Sequence, residues 1–470
     1  MSTGRTASWL GAAALISTGM LSGVSSAADL LDLYGLAQTS DPIFQSATHA
    51  LEAARQKRPE AFSALLPALT ANGAAGRTQG RTQYTDTPEI NRSFNTSQWS
   101  LQLTQPLFRA DKLSLYGEAR ASVEQAQAQY AAAQQDLILR LSRAYFDVLV
   151  AERHVGTTRA QLDALTEQLH AAHRSFDAGV ASITDVDDTR ARAASAEAQQ
   201  VAAQNDLQSA RAALEAIVGE PVSGLAALGS DTTLPTPQPE DVTVWVQRAV
   251  EDNPSVKAAQ AVVKEADYAV SRSRSERLPS VDLVASYGGN HSGGNITEPV
   301  NFDTTVRDKQ ISVQFSVPLL DGGAMHAQLV ESRAQRAKVS ADLSAAQRQA
   351  ALDTRQAFGA VLSGVSQAKA LDTALRAGQS AVKGNRVGYG LGIRINSDVL
   401  NAEQQLYSTM QDLDKARYDT LFASLKLKAA TGSLSEDDLK GINTLFSPPP
   451  PGAAPTGQAT LTSLQPGPPL

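Results

Sequence analysis

No proline occurs between Leu107 and Glu220, nor between Leu319 and Ser447. Within the first of these spans, apolar or small residues fall at Val123, Ala126, Tyr130, Ala133, Leu137, Leu141, Ala144, Val148, Ala151 and Val155. They continue at Leu162, Leu165, Leu169, Ala172 and Phe176. Steps of three and four with one slip predict a coiled-coil seam carrying a stutter. A helix of about 65 residues spans roughly 100 Å, far beyond an ordinary globular helix. A shorter helix follows in each span, over about Asp185–Val218 and Asp398–Ala430.

Elsewhere the period changes to two. Val281, Leu283, Ala285 and Tyr287 alternate with polar residues, as do Ile311, Val313, Phe315 and Val317. Trp99, Leu101 and Leu103 repeat the pattern, and Leu69–Gly76 gives a weaker version. Such alternation predicts strands, so each half of the chain contributes one β-hairpin. Polar segments over about Arg77–Thr96 and Gly288–Lys309 are expected as long loops between them. Single helices are expected upstream, over about Leu30–Ala64 and Val242–Arg277. Pro67 and Pro279 end them, because the residue before a proline avoids the helical region.

The chain says nearly everything twice. Asp41-Pro42 is answered by Asn253-Pro254, Leu66-Pro67 by Leu278-Pro279, and Gln105-Pro106-Leu107-Phe108 by Val317-Pro318-Leu319-Leu320, all at an offset of 212. FDAGVASITDV (176–186) is answered by YGLGIRINSDV (389–399) at 213. Four landmarks in one order indicate a tandem duplication. The expected divisions are a signal peptide at 1–27, a first repeat at 28–234, a proline-rich linker at 235–240 and a second repeat at 241–433. A C-terminal segment at 434–470 follows, with eight prolines among its last 24 residues. From about 447 it is expected to be disordered.

Composition narrows the class. A net charge of −7 argues against nucleic-acid binding, which normally needs a basic stripe. Arg5, the apolar run Trp9–Val24 and the small residues to Ala28 predict an export signal. There is no cysteine, so neither a disulfide nor a lipid-modified cysteine is available. No later run approaches the length of a spanning helix. Membrane entry would then require a closed β-barrel. Four strands are too few, since membrane barrels begin at about eight. Two copies would supply a barrel filled by side chains, and three a barrel with a lumen.

The duplicated N/D-P, L-P and P-L-[FL] landmarks, with F-x-x-G-x-x-x-x-T-D-V and Y-x-x-G-x-R-x-x-x-D-V-L after a long helix, resemble the TolC family of outer-membrane efflux and secretion channels. The likeness covers about residues 29–433. It implies a mainly α-helical protein with a β-barrel portion, each protomer giving four strands and long coiled helices. Three protomers would build a twelve-stranded β-barrel in the outer membrane and a twelve-helix α-barrel in the periplasm. The implied partners are a periplasmic adaptor and an inner-membrane pump of ABC, RND or MFS type, with outer-membrane lipid around the barrel. No cofactor, enzymatic activity or nucleic acid is implied.

The resemblance also assigns residues. A gate lock falls on Tyr389 and Arg394, with partners at Thr184 and Asp185. Asp398 falls where three carboxylates ring the constriction, which favours cations. The position of a second acid, one turn on, is Asn401 here, which weakens that preference unless Asp188 compensates. The competing reading is that Asp185 and Asp398 only cap the helices that follow. Gly179 and Gly392 fit tight turns between helices. Trp99, Phe94, Tyr84, Tyr287 and Phe302 flank the strands and suit an interfacial girdle or loop packing. His170 and His173, three apart on a helix, lack a third ligand for a metal. Other classes remain: a periplasmic adaptor, which should show one helical hairpin among β-rich modules, or a coiled-coil surface protein with one terminal anchor.

Overall fold

The computed structural model describes residues 29–447 apart from Ser223, Ser230 and Asp231. The expected signal peptide lies outside the described residues, as does the proline-rich tail beyond Ser447. Each half opens with two helices in place of the single one expected. α1 (Leu30–Ser40) and α2 (Pro42–Ser63) meet at Asp41, and α5 (Val242–Asp252) and α6 (Pro254–Ser275) meet at Asn253. The following proline pushes Asp41 and Asn253 out of the helical region, to ψ 115° and 128°. The same residues restart the helix. Asp41 accepts from the Phe44 amide at 2.9 Å and Asn253 from the Ser255 amide at 2.8 Å, with proline at the first helical position.

The hairpins are β1 (Ala68–Thr82) with β2 (Ile90–Phe108), and β4 (Ser280–Ser292) with β5 (Thr304–Ser316). The segments expected as loops over 77–96 and 288–309 are strand over 77–82, 90–96, 288–292 and 304–309. The ladder continues to Thr82 opposite Ile90 and Ser292 opposite Thr304. Backbone pairing needs no apolar alternation, so where both faces turn polar the period-two signal vanishes while the strand goes on. The hairpins join through β2 and β4 into one antiparallel sheet, β1-β2-β4-β5, with β1 and β5 at its edges.

Register sorts the side chains of this sheet onto two unlike faces. Leu69, Trp99, Leu101, Leu103, Leu283, Ala285, Tyr287, Ile311, Val313 and Phe315 share one face. Thr70, Asn72, Gln98, Ser100, Gln102, Asp282, Ser286, Gln310 and Gln314 share the other. The apolar face is uncovered in a single chain: Ile311 is 79% exposed and Phe315 68%. Trp99 and Tyr287 meet edge to face at 5.1 Å between ring centres. Of the other aromatics of the expected girdle, Tyr84 sits in the loop after β1, where its hydroxyl donates to the Thr297 carbonyl at 2.6 Å, and Phe94 lies on β2 opposite Thr78, packed on Gly294. Below the sheet, Arg109 binds Asp282 through two hydrogen bonds, at 3.1 and 2.7 Å.

From the sheet run α3 (Ala110–Asp177) and α7 (Ala324–Gly390), 68 and 67 residues long. α4 (Ile183–Val218) and α8 (Asn396–Ala430) fold back along them. Near the sheet α2 and α6 fill the same places beside the long helices. Four helices therefore stand side by side at either level. Of the seam residues in α3, Leu137, Leu141, Ala144, Val148, Ala151, Leu165 and Ala172 are buried, whereas Phe176 is exposed.

The main core is a waist midway along α3. Leu137, Leu141, Tyr145 and Phe146 pack with α1, with Leu214 of α4, and with Tyr418 and Leu421 of α8. Residues beyond the second repeat complete it. α9 (Glu436–Asn443) inserts Leu439 and Ile442, and the strand β6 (Phe446–Ser447) pairs with β3 (Ala227–Leu228). The Asn443 side chain accepts from the Leu30 amide at 3.2 Å, tying the two ends of the described chain together.

Candidate functional site

The ends of α3 and α7 farthest from the sheet carry the echoed motifs, and their backbones are near copies. Gly179 has φ 76° and Gly392 φ 74°. In the first turn the Gly179 amide donates to the Phe176 carbonyl and the Val180 amide to the Ser175 carbonyl, at 2.8 and 3.0 Å. In the second, Gly392 donates to Tyr389 and Ile393 to Gly388, at 3.0 and 2.9 Å. This Schellman geometry needs a left-handed residue after the helix, which glycine adopts without strain.

The side chains differ. Asp185 closes a capping box at the start of α4: it accepts from the Ser182 amide at 3.3 Å, while the Ser182 hydroxyl accepts from the Thr184 amide at 3.2 Å. The Thr184 hydroxyl lies 2.8 Å from that of Ser182. Asp398 holds the equivalent place in α8, whose N-cap residue, Ile395, makes no side-chain cap. Its carboxylate instead lies 3.5 Å from Arg394, one turn before it. The capping reading thus describes Asp185 and not Asp398. Tyr389 is exposed and makes no side-chain hydrogen bond among the described residues. Within one chain neither Tyr389 nor Arg394 reaches Thr184 or Asp185.

Three contacts join the two hairpins near their tips. Asn396 donates to the Thr189 hydroxyl at 3.0 Å in a buried setting. Arg192 of α4 spans Asp188 at 3.3 Å, Gln404 at 3.3 Å and Asn401 at 2.9 Å. The position expected to lack a second acid is therefore an acceptor for a guanidinium, and Asp188 is held by the same cation. Deeper still, Glu403 of α8 is almost wholly buried. It accepts from Arg386 of α7 at 2.6 Å and from Gln168 of α3 at 2.5 Å. Burial, and then the nearby Glu403 charge, pushes the Tyr407 phenol above its ordinary pKa.

Neither Arg192 nor Glu403 was expected from the sequence. Glu403 had left a trace, since it interrupts the apolar stripe Val399, Leu400, Leu406, Leu413; Arg192 had left none. Of the two histidines, His173 faces Arg190 across the first hairpin at 3.4 Å. Among the described residues no group of His, Cys, Asp or Glu is arranged to hold a metal, and no helix is long and apolar enough to cross a membrane.

This architecture has relatives. The chain is 32% identical to the alkaline protease secretion protein AprF of Pseudomonas aeruginosa, over 89% of this chain and 87% of that one. It is 31% identical to the outer membrane protein TolC of Escherichia coli, over 91% and 87%. The fold superimposes on the outer membrane protein VceC of Vibrio cholerae with a TM-score of 0.71 at 18% identity, covering 86% of this chain and 96% of that one. The sequence profile described as outer membrane efflux protein matches twice, at residues 33–220 and 245–433. The two matches begin 212 residues apart and end 213 apart, the offsets of the internal repeat. The adaptor and surface-stalk readings fall with that double match: the chain belongs to the outer membrane efflux protein family and is a protein of the outer membrane.

Proposed function

We propose that three copies of this chain form a passive export duct, the outer-membrane component of a tripartite efflux or type I secretion system. The observation that carries this reading is the four-stranded sheet with one apolar face, one polar face and two open edges. An open edge costs several kcal/mol per unsatisfied backbone group in lipid, so the edges must pair with other copies. Three copies give twelve strands around a polar lumen. The same three copies give twelve helices at each level of the tunnel, from the four that stand side by side in one chain.

The gate lies at the helical tips. Asp398 forms one ring of three carboxylates, Asn401 contributes no second ring, and the Arg192 cation stands beside it. The duct is therefore only mildly cation-selective. The Arg394–Asp398 pair is exposed and one turn apart, worth about 0.3–0.5 kcal/mol. Such a weak pair exchanges readily for Thr184 or Asp185 of a neighbouring hairpin, which is the lock. The exposed apolar residues Val180, Leu391, Ile393 and Ile395 crown the tips and suit docking by a periplasmic adaptor. That adaptor couples the duct to an inner-membrane pump of ABC, RND or MFS type, for small molecules, proteins or both. Crosslinking of the native protein in outer-membrane fractions should give trimers, and the purified trimer should conduct in a planar bilayer. A soluble or monomeric protein would sink the reading.

A further inference from the structure

Just beyond the apolar band, the same face of the sheet turns cationic. On β1 that face reads Leu69, Ala71, Gly73, Ala75 and then Arg77. On β5 it reads Phe315, Val313, Ile311 and then Lys309 and Arg307. Register places Lys309 opposite Tyr287, Arg307 opposite Gly289 and Arg77 opposite Asn95, all on the face of Trp99. The three cations are exposed. Arg77 donates to the Ser93 hydroxyl at 2.8 Å, and the Lys309 ammonium sits 5.2 Å over the Tyr287 ring. Neither contact neutralises charge. Arg81, farther along β1, already has Glu89 at 3.6 Å, and Asp308 points to the opposite face.

All three cations lie on edge strands. Closing the sheet with further copies sets β5 of one beside β1 of the next, each with its cations where its own apolar stretch ends. The anionic group that a bilayer presents at that depth is the headgroup phosphate. Guanidinium forks match phosphate oxygens in pairs, and aromatic rings of the Trp99–Tyr287 kind favour the same interfacial level. We propose that Arg77 on β1, with Lys309 and Arg307 on β5, forms a binding site for the phosphate of an anionic membrane lipid at each seam between protomers. This rests on the barrel reading above. The site faces the leaflet away from the helices.

The test uses the full assembled protein in detergent micelles doped with phosphatidic acid or with phosphatidylcholine, with retained lipid counted by native mass spectrometry. The wild type should hold phosphatidic acid in preference. The combined variant Arg77→Gln, Arg307→Gln, Lys309→Gln should lose that preference, roughly fivefold per charge removed. Should the combined variant not assemble, Arg307→Gln alone gives the fivefold step. A large excess of inorganic phosphate should not displace the lipid; displacement would mean a free-anion site and overturn the proposal. Equal retention by variant and wild type would overturn it too. A wild type that conducts in bilayers yet shows no preference overturns this inference alone, whereas one that neither assembles nor conducts overturns the duct as well.

Discussion

Asp41 shows how much one side chain carries. It caps α2 and also receives two hydrogen bonds from Arg140, at 3.2 and 2.7 Å. Burial opposes its charge, but the bonds from Arg140 and the Phe44 and Ile43 amides outweigh that and hold its pKa below the usual 3.8. The folded state therefore prefers the ionised form. This stability is complete above pH 3.8 and drains away as acid carries the solution down through the lower folded value. Asp41→Asn copies the residue found at Asn253, keeping the cap and losing the ion pair. We expect it to cost about 1.5–3 kcal/mol at neutral pH and to flatten the acid limb of a thermal-midpoint profile. At the gate, Arg394→Ser or Tyr389→Phe should raise single-channel conductance, and unchanged conductance would remove the lock assignment. Asp398→Ala should lower the cation preference measured by reversal potential, since Asp398 caps nothing; an unaltered potential would remove the ring.

At the scale of elements, the helices were legible because their register is local. The three-four stepping from Val123 to Phe176 marked most of α3, and the proline-free span after Leu319 left room for α7. The broken first helices are also written locally, in Asp41-Pro42 and Asn253-Pro254, landmarks that mark the repeat and a helix start at once. The upper strands were not legible, because a ladder with two polar faces has no hydrophobic period. The tip contacts were the least legible: Arg192 meets Asn401 across 209 residues and Gln168 meets Glu403 across 235. Nothing in a local pattern encodes such pairs. The turn glycines do carry a local test. Gly392→Ala forces a β-carbon into the left-handed region, at a cost of about 1–2 kcal/mol. It should lower the thermal midpoint of the assembled protein; an unmoved midpoint would show that the turn relaxes.

For the whole molecule, duplication explains why one chain brings two hairpins and two pairs of long helices, and why the copies then diverged in chemistry. Asp185 caps where Asp398 faces Arg394; Asp41 holds an arginine where Asn253 bonds the Ala430 carbonyl at 2.8 Å. The sheet also has a genetic consequence. In the proposed trimer β1 and β5 are unfinished until neighbours arrive, so a protomer damaged on one edge spoils the ring it joins. A proline at Val313, which removes an amide from β5, should be dominant when expressed beside the wild type. At equal expression only about one in eight randomly mixed trimers would be wholly wild type. Export should fall toward that fraction, far below the half expected of independent monomers. Inheritance of the defect would then count the subunits.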